Sequence, residues 1–538
     1  MFQPSSRIAL AAIDRPTKPA DWLRVVADLH DDPGFWWLDS GLPDARLGRY
    51  SFAGSDPYLH LEARGEEIDV EVRRKVRPGL APGTQRIKGD PIEVARSLLP
   101  RTDSLIYSTR AAGALGTSGP EGPSGRGGPQ WHEVAGLAPG LELPFLGGAV
   151  GYLGYELAAT LEPKIDLANA DDLGLPDLSL AFVDHVLAYD HSANRLWILG
   201  LGFSDSGASG DSDARVSSVS RSRYVVDGVL DRVEPILSQA SSHEETTHRT
   251  AASGTSLPIL STADASAYAK AIDTILEEIE AGNVYQANFS QRLTMDAPVD
   301  PWSIYQALRR HNPAPFGAYL SQAHSAILSS SPERFLRLDG SRRVESRPIK
   351  GTRPRGQNDV EDLRLSDELA RSEKDRAENL MIVDLVRNDL GRVCAPGSIS
   401  VPALMEIEAY AEVFQMVSTV TGTLATGRDA FDLVRATFPP GSMTGAPKLA
   451  AIGLLERLEQ VKRGVYAGAL GYFDLRGGLD LSVVIRTIVW KDDRAHLHVG
   501  GGVVADSTPT AEYLESLDKA KAPLAALEEV LVSERRSV

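Results

Sequence analysis

Short strand-like runs that do not alternate regularly with helices constrain the fold of this chain most. The first 203 residues contain PGFWWLDS, RYSFAG, YLHLEA, SLAFVDHVLAYD and RLWILGLGF, at spacings typical of antiparallel hairpins. After residue 262, helical patterns such as 265–281 mix with strand patterns such as 482–490. Because βαβ alternation is missing, the sequence predicts an α+β fold and not a doubly wound parallel sheet.

Two segments rich in Gly, Ser, Pro and charge divide the chain. Residues 113–130 read as a flexible surface insertion. Residues 204–261 read as a low-complexity linker that contains a short helix near 225–237. The sequence therefore predicts an N-terminal region over 1–203 and a C-terminal region over 262–530.

Charge and cysteine content exclude several classes of protein. The chain has 56 Lys and Arg against 73 Asp and Glu, a net charge of −17, whereas nucleic-acid binders usually present a basic face. The single cysteine, Cys394, cannot form an internal disulfide or an all-cysteine metal site. With no signal-peptide pattern and no apolar run of about 18 residues, we expect a reduced, cytoplasmic protein without a membrane span.

Acidic side chains at helical spacing are candidates for a metal site. Glu512, Glu515 and Lys519 share one face of a predicted C-terminal helix, and Asp375 and Glu378 lie three residues apart on an earlier helix. A solvated salt-bridge face is the simpler interpretation of the first set. Two carboxylate-bearing helices could instead hold a hard cation such as Mg2+, for which no His or Cys cluster competes.

Four other positions are candidates for binding an anionic ligand. Gly500, Gly501 and Gly502 follow a strand, and their backbone N–H groups can approach a ligand carboxylate closely. Arg486 is a lone cation in an apolar run, so it needs an anionic partner. That partner is either a structural ion pair or a carboxylate of the ligand.

Two side chains have the chemistry of acid catalysis and nucleophilic catalysis. Glu333 lies at a turn between two strands predicted within 326–338, where burial would make it a general acid or base; a surface pair with Arg334 is the alternative. Lys350 lies among the cations of RPIKGTR, which favour a neutral nucleophilic amine, and a basic surface turn is the alternative. The loop at 441–448 lacks the spacing of a phosphate-binding loop, which excludes a nucleotide triphosphatase.

Long motifs cover most of the chain in a fixed order. They include PFLGGAVGYLGYEL at 144–157, GNVYQANFSQRL at 282–293 and KDRAENLMIVDLVRND at 374–389, with the strongest match over 265–525. Together they resemble the chorismate-utilising enzymes, which include component I of anthranilate synthase, component I of aminodeoxychorismate synthase, and isochorismate and salicylate synthases. The resemblance implies two packed antiparallel sheets surrounded by helices, built by both halves of the chain, with the chorismate-binding catalytic domain over 262–530.

Three positions separate the branches of this family. Gln286 stands where the isochorismate and salicylate synthases have a lysine that activates water, which implies ammonia as the nucleophile. Lys350, in PIKGT, resembles the lysine of the aminodeoxychorismate branch, whereas anthranilate synthases read PIAGT. Gln415 stands where many relatives have a histidine that the anthranilate branch ties to pyruvate elimination. The resemblance therefore implies formation of 4-amino-4-deoxychorismate, a precursor of 4-aminobenzoate and of folate.

The same branch implies roles for the candidate residues. Lys350 attacks C2 of chorismate, Glu333 protonates the departing C4 hydroxyl, and Lys519 supplies a positive field that helps to keep Lys350 neutral. Mg2+ is assigned to four carboxylates: Glu378 and Glu515 directly, and Asp375 and Glu512 nearby or through water. The substrate-binding residues are Gln286, Thr352, Tyr466, Arg486, Gly500, Gly501 and Gly502.

The resemblance also implies a protein partner and an amino-acid pocket. Ammonia would come from a separate glutamine amidotransferase subunit, because the sequence around Cys394 has no nucleophile-elbow pattern. WWLDSG at 36–41 and GRYSF at 48–52 resemble the pocket where tryptophan binds as an inhibitor or as a structural ligand. Ser40, Pro315 and Phe316 would line it, and plain core packing is the alternative interpretation.

Two other functions fit parts of the pattern. Component I of anthranilate synthase is the alternative within the enzyme class, and both Lys350 and Gln415 disfavour it. A non-catalytic subunit that binds chorismate or tryptophan is the alternative from another class. The presence of the full set of reactive residues disfavours it, since a decayed site should have lost at least one of Glu333, Lys350, Glu378, Glu515 and Lys519.

Overall fold

Two large β-sheets organise the chain in its computed structural model. The structure describes residues 6–42, 47–77, 79–100, 105–111, 132–134, 143–205, 211–238, 258–410 and 413–537. The strands in chain order are β1 (Ser6–Pro16), β2 (Trp36–Asp39), β3 (Tyr50–Gly54), β4 (Leu59–Arg64), β5 (Glu67–Val72), β6 (Gly83–Lys88), β7 (Leu105–Ala111), β8 (His132–Val134), β9 (Gly148–Leu153), β10 (Leu178–Val183), β11 (His185–Asp190), β12 (Arg195–Asp205), β13 (Leu260–Ser261), β14 (Gln286–Asp296), β15 (Phe316–Ser321), β16 (Ser325–Ser331), β17 (Arg334–Leu338), β18 (Arg343–Ser346), β19 (Ile349–Pro354), β20 (Ser400–Ala409), β21 (Val413–Thr423), β22 (Gly445–Ala446), β23 (Ala469–Asp474), β24 (Leu479–Val483), β25 (Thr487–Lys491) and β26 (Arg494–Val503).

Helices connect these strands. In chain order they are α1 (Pro19–Leu29), α2 (Pro91–Leu98), α3 (Leu157–Leu161), α4 (Asp211–Ser238), α5 (Ala265–Glu280), α6 (Pro301–His311), α7 (Asp359–Arg371), α8 (Glu373–Gly391), α9 (Ala430–Thr437), α10 (Lys448–Leu458) and α11 (Pro509–Ser537), with a 3-10 turn at Gly441–Met443. Among the described helices, none combines the length and the apolar character needed to cross a membrane.

Each sheet is assembled from both halves of the chain. The first sheet has the order β13-β14-β26-β25-β16-β15-β2-β3-β11-β12-β1-β7-β8, with β22 beside β14. The second has the order β19-β21-β18-β17-β24-β23-β9-β10-β4-β5-β6, with β20 beside β21. Pairing among the described strands is antiparallel apart from the parallel pair β1–β7. In each sheet the N-terminal and C-terminal strands meet at one seam, β15–β2 and β23–β9.

Buried apolar side chains lie between the sheets and under the helices. One cluster joins residues of both sheets, such as Leu10 and Trp36 from the first with Val150 and Tyr472 from the second. The other two large clusters lie between the outer face of one sheet and its helices, α6 and α11 for the first sheet and α8 and α9 for the second. The predicted α+β fold of two packed antiparallel sheets surrounded by helices is therefore confirmed.

Part of the predicted linker is a helix packed on the first sheet. The short helix expected at 225–237 is α4, which begins at Asp211 and packs against β1 and β12. Gly200 and Gly202 allow this close approach, because a Cβ atom on Gly202 would lie 2.0 Å from the carbonyl oxygen of Ser218. The buried face of α4 includes Ser218, Ser222 and Val226. Because this segment is rich in Ser and Asp, its composition did not indicate a buried helix face.

The remaining predictions about chain organisation are untested. The insertion at 113–130 and residues 239–257 of the linker lie outside the described residues. The division at 204–261 stays a prediction about the sequence.

Candidate active site

Two of the candidate residues lie where the chain crosses from one sheet to the other, and the two crossings are neighbours. The strands predicted around a turn at 326–338 exist as β16 and β17, but they belong to different sheets, and Glu333 lies at the crossing. β24 and β25 are likewise in different sheets, with Arg486 between them. The Ser330 hydroxyl donates to the carbonyl oxygen of Arg486 at 3.0 Å, and the Val483 N–H donates to that of Glu333 at 3.0 Å. The crossings are thus hydrogen-bonded to each other.

The carboxyl group of Glu333 is buried beside one hydroxyl. The residue is 5% exposed, and the hydroxyl of Ser442 donates a hydrogen bond to its Oε1 at 2.8 Å. Burial raises the pKa of Glu333 to about 7, although the hydrogen bond from Ser442 and the charge of Lys350 act in the opposite direction. The carboxyl group can therefore hold or release a proton near neutral pH, as a general acid must.

Lys350 lies on the irregular strand β19. The register of β19 against β21 shifts between Ile349 and Thr352, and Gly351 has a φ of +82°, a conformation that favours glycine. A Cβ atom on Gly351 would lie 2.9 Å from Oδ1 of Asp375. The Nζ of Lys350 lies 3.4 Å from the carbonyl oxygen of Ser442. The distorted strand thus directs Lys350 to the same residue that contacts Glu333.

The glycines of β26 bring Gln286 and Lys350 together. A Cβ atom on Gly500 would lie 2.0 Å from the carbonyl oxygen of Phe289 in β14, so there is no room for a side chain. A Cβ atom on Gly502 would lie 2.2 Å from Nε2 of Gln286 and 3.4 Å from Nζ of Lys350. The glycines therefore leave the space in which these two side chains meet.

Gly501 lies beside the first turns of α11. A Cβ atom on Gly501 would lie 3.1 Å from Oε2 of Glu512, 3.5 Å from Nζ of Lys519 and 3.6 Å from Oε1 of Glu515. Lys519 pairs with Glu515 at 2.8 Å and donates to the carbonyl oxygen of Gly500 at 2.9 Å. Glu512, Glu515 and Lys519 therefore lie on one face of α11, as their helical spacing predicts, and that face lies against Gly501 of β26.

Each of the four candidate metal carboxylates lies near a cation. α8 begins after Ser372, whose hydroxyl accepts from the N–H of Asp375, and Arg353 pairs with Asp375 at 3.1 Å. Oε1 of Glu512 accepts from the Ser507 hydroxyl at 2.6 Å and lies 3.3 Å from Nζ of Lys374. The other oxygen of Glu512, Oε2, is buried and has no hydrogen-bond partner among the described residues.

The pKa values of Glu378 and Glu515, the two candidates for direct metal ligands, are shifted in opposite directions. Burial raises the pKa of Glu378, against the effect of Lys350 and Lys374. Burial also acts to raise the pKa of Glu515, but Lys519, Lys374 and Lys350 together hold it below its ordinary value. Glu515 is thus ionised at neutral pH and carries the charge that a cation needs.

The donor set fits a hard cation, but the side chains do not form a complete cage. Oxygen ligands from a few carboxylates, completed by other oxygens, are what Mg2+ prefers. In the part of the chain that the structure describes, no group of three or more His, Cys, Asp or Glu side chains is close enough to hold a metal ion. The unpartnered Oε2 of Glu512 is the structural observation that fits a cation at this place.

Polar side chains without partners line the same region. Arg486, at a φ of 52°, makes no side-chain ion pair or hydrogen bond within the described residues, and burial lowers its pKa. Both amide atoms of Gln286 are buried, and neither has a hydrogen-bond partner in the described part of the chain. Tyr466 stacks on His498 with 5.2 Å between ring centroids, and burial raises the pKa of Tyr466 to about 12. A half-buried guanidinium and a buried amide, both unpaired within the described residues, indicate a polar, anionic ligand.

The sequence did not single out every polar residue of the site. Ser442 belongs to the rejected phosphate-loop pattern, and no sequence signal singles out Asn288, which is buried beside Tyr466. Lys448 of that loop donates to Asp389 and to the carbonyl oxygens of Thr437 and Pro439, at 2.7–2.9 Å. Its three N–H groups are used in holding the loop, which gives the lysine a structural role.

Two other predicted residues lie close to the site but differ in exposure. The side chain of Thr352 is exposed, and its backbone lies opposite Gln415 in the register of β19 and β21. Gln415 is 6% exposed, and its Oε1 has no partner in the described part of the chain.

Ser40, Pro315 and Phe316 line a separate pocket of about 320 Å3 near the β15–β2 seam. The hydroxyl of Ser40 donates to the carbonyl oxygen of Tyr50 at 2.8 Å. Arg334, the residue after Glu333, places its guanidinium 5.2 Å from the ring centroid of Phe316. The three residues predicted for an amino-acid pocket therefore meet in one cavity, and Arg334 lies between that cavity and Glu333.

Comparison with known proteins identifies relatives along most of the chain. A family model described as chorismate binding enzyme matches residues 124–525. An aminodeoxychorismate synthase of Streptomyces pristinaespiralis is 39% identical over 92% of this chain, which spans 62% of that relative's length. Component 1 of the anthranilate synthase of Synechocystis is 34% identical over 96% of this chain and 94% of its own. The crystal structure of anthranilate synthase component I from Streptococcus pneumoniae matches with a TM-score of 0.66 and 25% identity, covering 90% of this chain and 93% of that one.

Proposed function

The chain belongs to the chorismate-binding enzyme family, and on this premise we propose that it aminates chorismate at C4 to form 4-amino-4-deoxychorismate. The product is a precursor of 4-aminobenzoate and so of folate. The observation that carries the proposal is the placement of Lys350 and Glu333 against the same residue, Ser442. The 39% identity to an aminodeoxychorismate synthase supports the same branch.

The proposed chemistry uses Lys350 as nucleophile and Glu333 as acid. The neutral amine of Lys350 attacks C2, the two conjugated ring double bonds each move by one bond toward C4, and the C4 hydroxyl leaves as water with the proton of Glu333. Ammonia then attacks C4, both double bonds move back, and the Lys350 amine leaves C2 as a neutral group. The ammonium at C4 releases a proton, which restores Glu333. One ammonia is consumed and one water is released.

We assign substrate binding to the unpaired polar groups. Arg486 would pair with a carboxylate of chorismate, which explains a half-buried guanidinium without a partner among the described residues. Tyr466 and the backbone of Gly500, Gly501 and Gly502 would hold the same end of the substrate. Gln286 would hold ammonia near C4, and Thr352 would contact the substrate from β19.

We assign Mg2+ to Glu378 and Glu515, with Asp375 and Glu512 nearby or through water. When bound there, Mg2+ would neutralise a substrate carboxylate and orient the ring. The four side chains supply only oxygen donors, and Oε2 of Glu512 lacks a partner among the described residues.

Ammonia is proposed to come from a separate glutamine amidotransferase subunit. Hydrolysing an amide with a cysteine requires an accessible thiolate. Cys394 is 6% exposed, and burial raises the pKa of its thiol. The sole cysteine of the chain is therefore unsuited to this chemistry, which supports a partner subunit. We also propose a reduced, cytoplasmic setting, which a chain with a single cysteine fits.

The pocket lined by Ser40, Pro315 and Phe316 is proposed to bind an amino acid such as tryptophan. Its lining combines apolar surface with charged groups, including Arg49 and Asp39. An amino acid offers both kinds of group, whereas plain core packing would leave no cavity.

The function is tested with purified protein, chorismate, Mg2+ and ammonium chloride, with the products identified by mass spectrometry. A C4-aminated product is expected, together with a covalent protein–chorismate adduct in samples quenched early. Lys350→Ala should abolish the adduct and lower C4 amination by at least about 100-fold, because the covalent route is lost.

Lys270→Ala is the matched control, since Lys270 is an exposed lysine on α5. It should leave both signals unchanged. Full C4 amination by Lys350→Ala would contradict the covalent role. Fluorescent anthranilate formed by the unaltered protein would place the chain in the anthranilate branch, and chorismate binding without turnover in the presence of ammonium would favour a binding subunit.

A further inference from the structure

Ser442 is the one described residue that hydrogen-bonds to both Glu333 and Lys350. Its hydroxyl donates to Oε1 of Glu333 at 2.8 Å, and its carbonyl oxygen lies 3.4 Å from Nζ of Lys350. Ser442 is 7% exposed and lies in the 3-10 turn between α9 and β22. The two side chains thus contact opposite ends of a single residue.

The backbone around Ser442 is held on both sides. Before the turn, Lys448 donates to the carbonyl oxygens of Thr437 and Pro439. After it, Arg463 donates to the carbonyl oxygen of Met443 at 2.8 Å, and the N–H of Asn288 donates to that of Thr444 at 2.9 Å. β22 then pairs with β14. Because these bonds come from α10, from β14 and from the loop that contains Arg463, the turn has little freedom to move its hydroxyl or its carbonyl group.

We infer that Ser442 is a positioning residue that holds the proton donor and the nucleophile of the proposed reaction in register. The inference rests on the proposed function for the roles of Glu333 and Lys350. The contact between Ser442 and each of them does not depend on which reaction the site performs.

Each contact has a directional consequence. The carbonyl oxygen of Ser442 accepts one N–H of Lys350 at 3.4 Å and so fixes the direction in which the amino group is held. The hydroxyl favours the ionised form of Glu333, because it donates to a carboxylate oxygen. It therefore opposes the effect of burial and leaves Glu333 able to give up its proton.

The other charged groups around Glu333 are already paired. Arg334 pairs with Glu345 at 2.8 Å and with Asp480 at 2.9 Å. Glu333 also lines a small cavity beside α8. Asp389 lies on the α8 side of this cavity and pairs with Lys448 at 2.7 Å. Lys350 is the charge that acts on Glu333 directly. Removing the Ser442 hydroxyl should therefore change the titration of Glu333 without releasing another charge.

The test compares Ser442→Ala with Ser442→Thr in two measurements. The first measurement is the pH titration of the Glu333 carboxyl group. It is monitored by infrared difference spectroscopy, with Glu333→Gln used to identify the band of this carboxyl group. In Ser442→Ala the midpoint should rise by about one pH unit or more, because a hydrogen bond to an ionised group is lost. Ser442→Thr keeps a hydroxyl and should return the midpoint toward that of the unaltered protein.

The second measurement is the pH profile of C4 amination. In Ser442→Ala, kcat should fall by about tenfold or more while KM changes less than about twofold, because binding groups are untouched. Ser222→Ala is the matched control: it removes another buried hydroxyl, on α4, which donates to the carbonyl oxygen of Val219 at 2.9 Å. It should leave the midpoint and the profile unchanged.

An unchanged Glu333 midpoint in Ser442→Ala would overturn the inference. So would equal losses of kcat in Ser442→Ala and Ser442→Thr with no shift of the profile, because that outcome describes a packing role. The infrared titration needs no turnover. A shifted midpoint in a protein that does not aminate chorismate would therefore reject the proposed function and keep the Ser442–Glu333 link.

Discussion

Glu333 differs from most carboxyl groups of this acidic chain because it keeps a proton near neutral pH. Its burial costs the ionised form its hydration, and this effect exceeds those of Ser442 and Lys350. The folded state therefore binds the proton of Glu333 more tightly than the unfolded state does. Catalysis and stability consequently depend on the same titration.

Glu333→Gln should lower C4 amination by between about 100-fold and about 10,000-fold, because general acid catalysis is lost. In the unaltered protein, kcat should fall as pH rises through about 7, where Glu333 loses its proton. The residual kcat of Glu333→Gln should not show this fall with pH. Measuring kcat of both proteins over a pH series tests the loss of rate and the loss of pH dependence. If kcat of Glu333→Gln still fell near pH 7, the titration would belong to another group.

The same change should alter stability with a defined sign. Because the pKa of Glu333 is raised from 4.5 to about 7, its contribution to the free energy of unfolding is greatest at low pH and is lost as pH rises between these values. Glu333→Gln should therefore be more stable relative to the unaltered protein at pH 8 than at pH 4. Thermal unfolding at the two pH values gives the comparison.

At the level of secondary structure, α8 and α11 carry two candidate carboxylates each, and Lys374 of α8 pairs with Glu512 of α11. Neither helix forms a site alone, since Asp375 and Glu378 lie on one and Glu512 and Glu515 on the other. Lys374 and Lys519 pair with carboxylates of α11. The helix pair therefore concentrates charge of both signs at the point where a cation is proposed.

Glu515→Gln should weaken Mg2+ binding by at least about tenfold, because it removes one of two charged ligands. Calorimetric titration of Mg2+ in the presence of chorismate measures this without relying on turnover. Glu528→Gln, on the same helix α11, is the control and should leave the titration unchanged. Equal Mg2+ affinity in Glu515→Gln and the unaltered protein would remove Glu515 from the metal site.

At the scale of the whole molecule, two seams join the halves of the chain. β15 pairs with β2 in the first sheet, and β23 pairs with β9 in the second. Every residue of β9 and β23 is buried. Separating the halves would expose an edge strand in each sheet, with its unpaired N–H and C=O groups.

A fragment of residues 258–538 should therefore fail to fold by itself, even though it carries nearly all the candidate site residues. Scanning calorimetry should show no cooperative transition, and co-expression with residues 1–238 should restore one. The full-length chain prepared in the same way is the control. A cooperative transition in the isolated fragment would show that the seams are dispensable.

Sequence patterns predicted the parts of the site but not their meeting. The identities of Glu333 and Lys350 stood out because each lies in a short motif of reactive residues. Ser442 did not, because it contacts Glu333 109 positions away and Lys350 92 positions away. The roles assigned to these residues stay predictions until the variants are measured.

Local patterns in the chain specify the antiparallel α+β character, the helical face of Glu512, Glu515 and Lys519, and the chemical types available to the site. These follow from periodicity and residue identity, which a chain carries before it folds. Three other features arise only when the chain folds: β16 and β17 enter different sheets, the serine-rich α4 packs on the first sheet, and Glu333 is buried. Those outcomes depend on contacts between distant segments, and a pKa set by burial exists only when those contacts have formed.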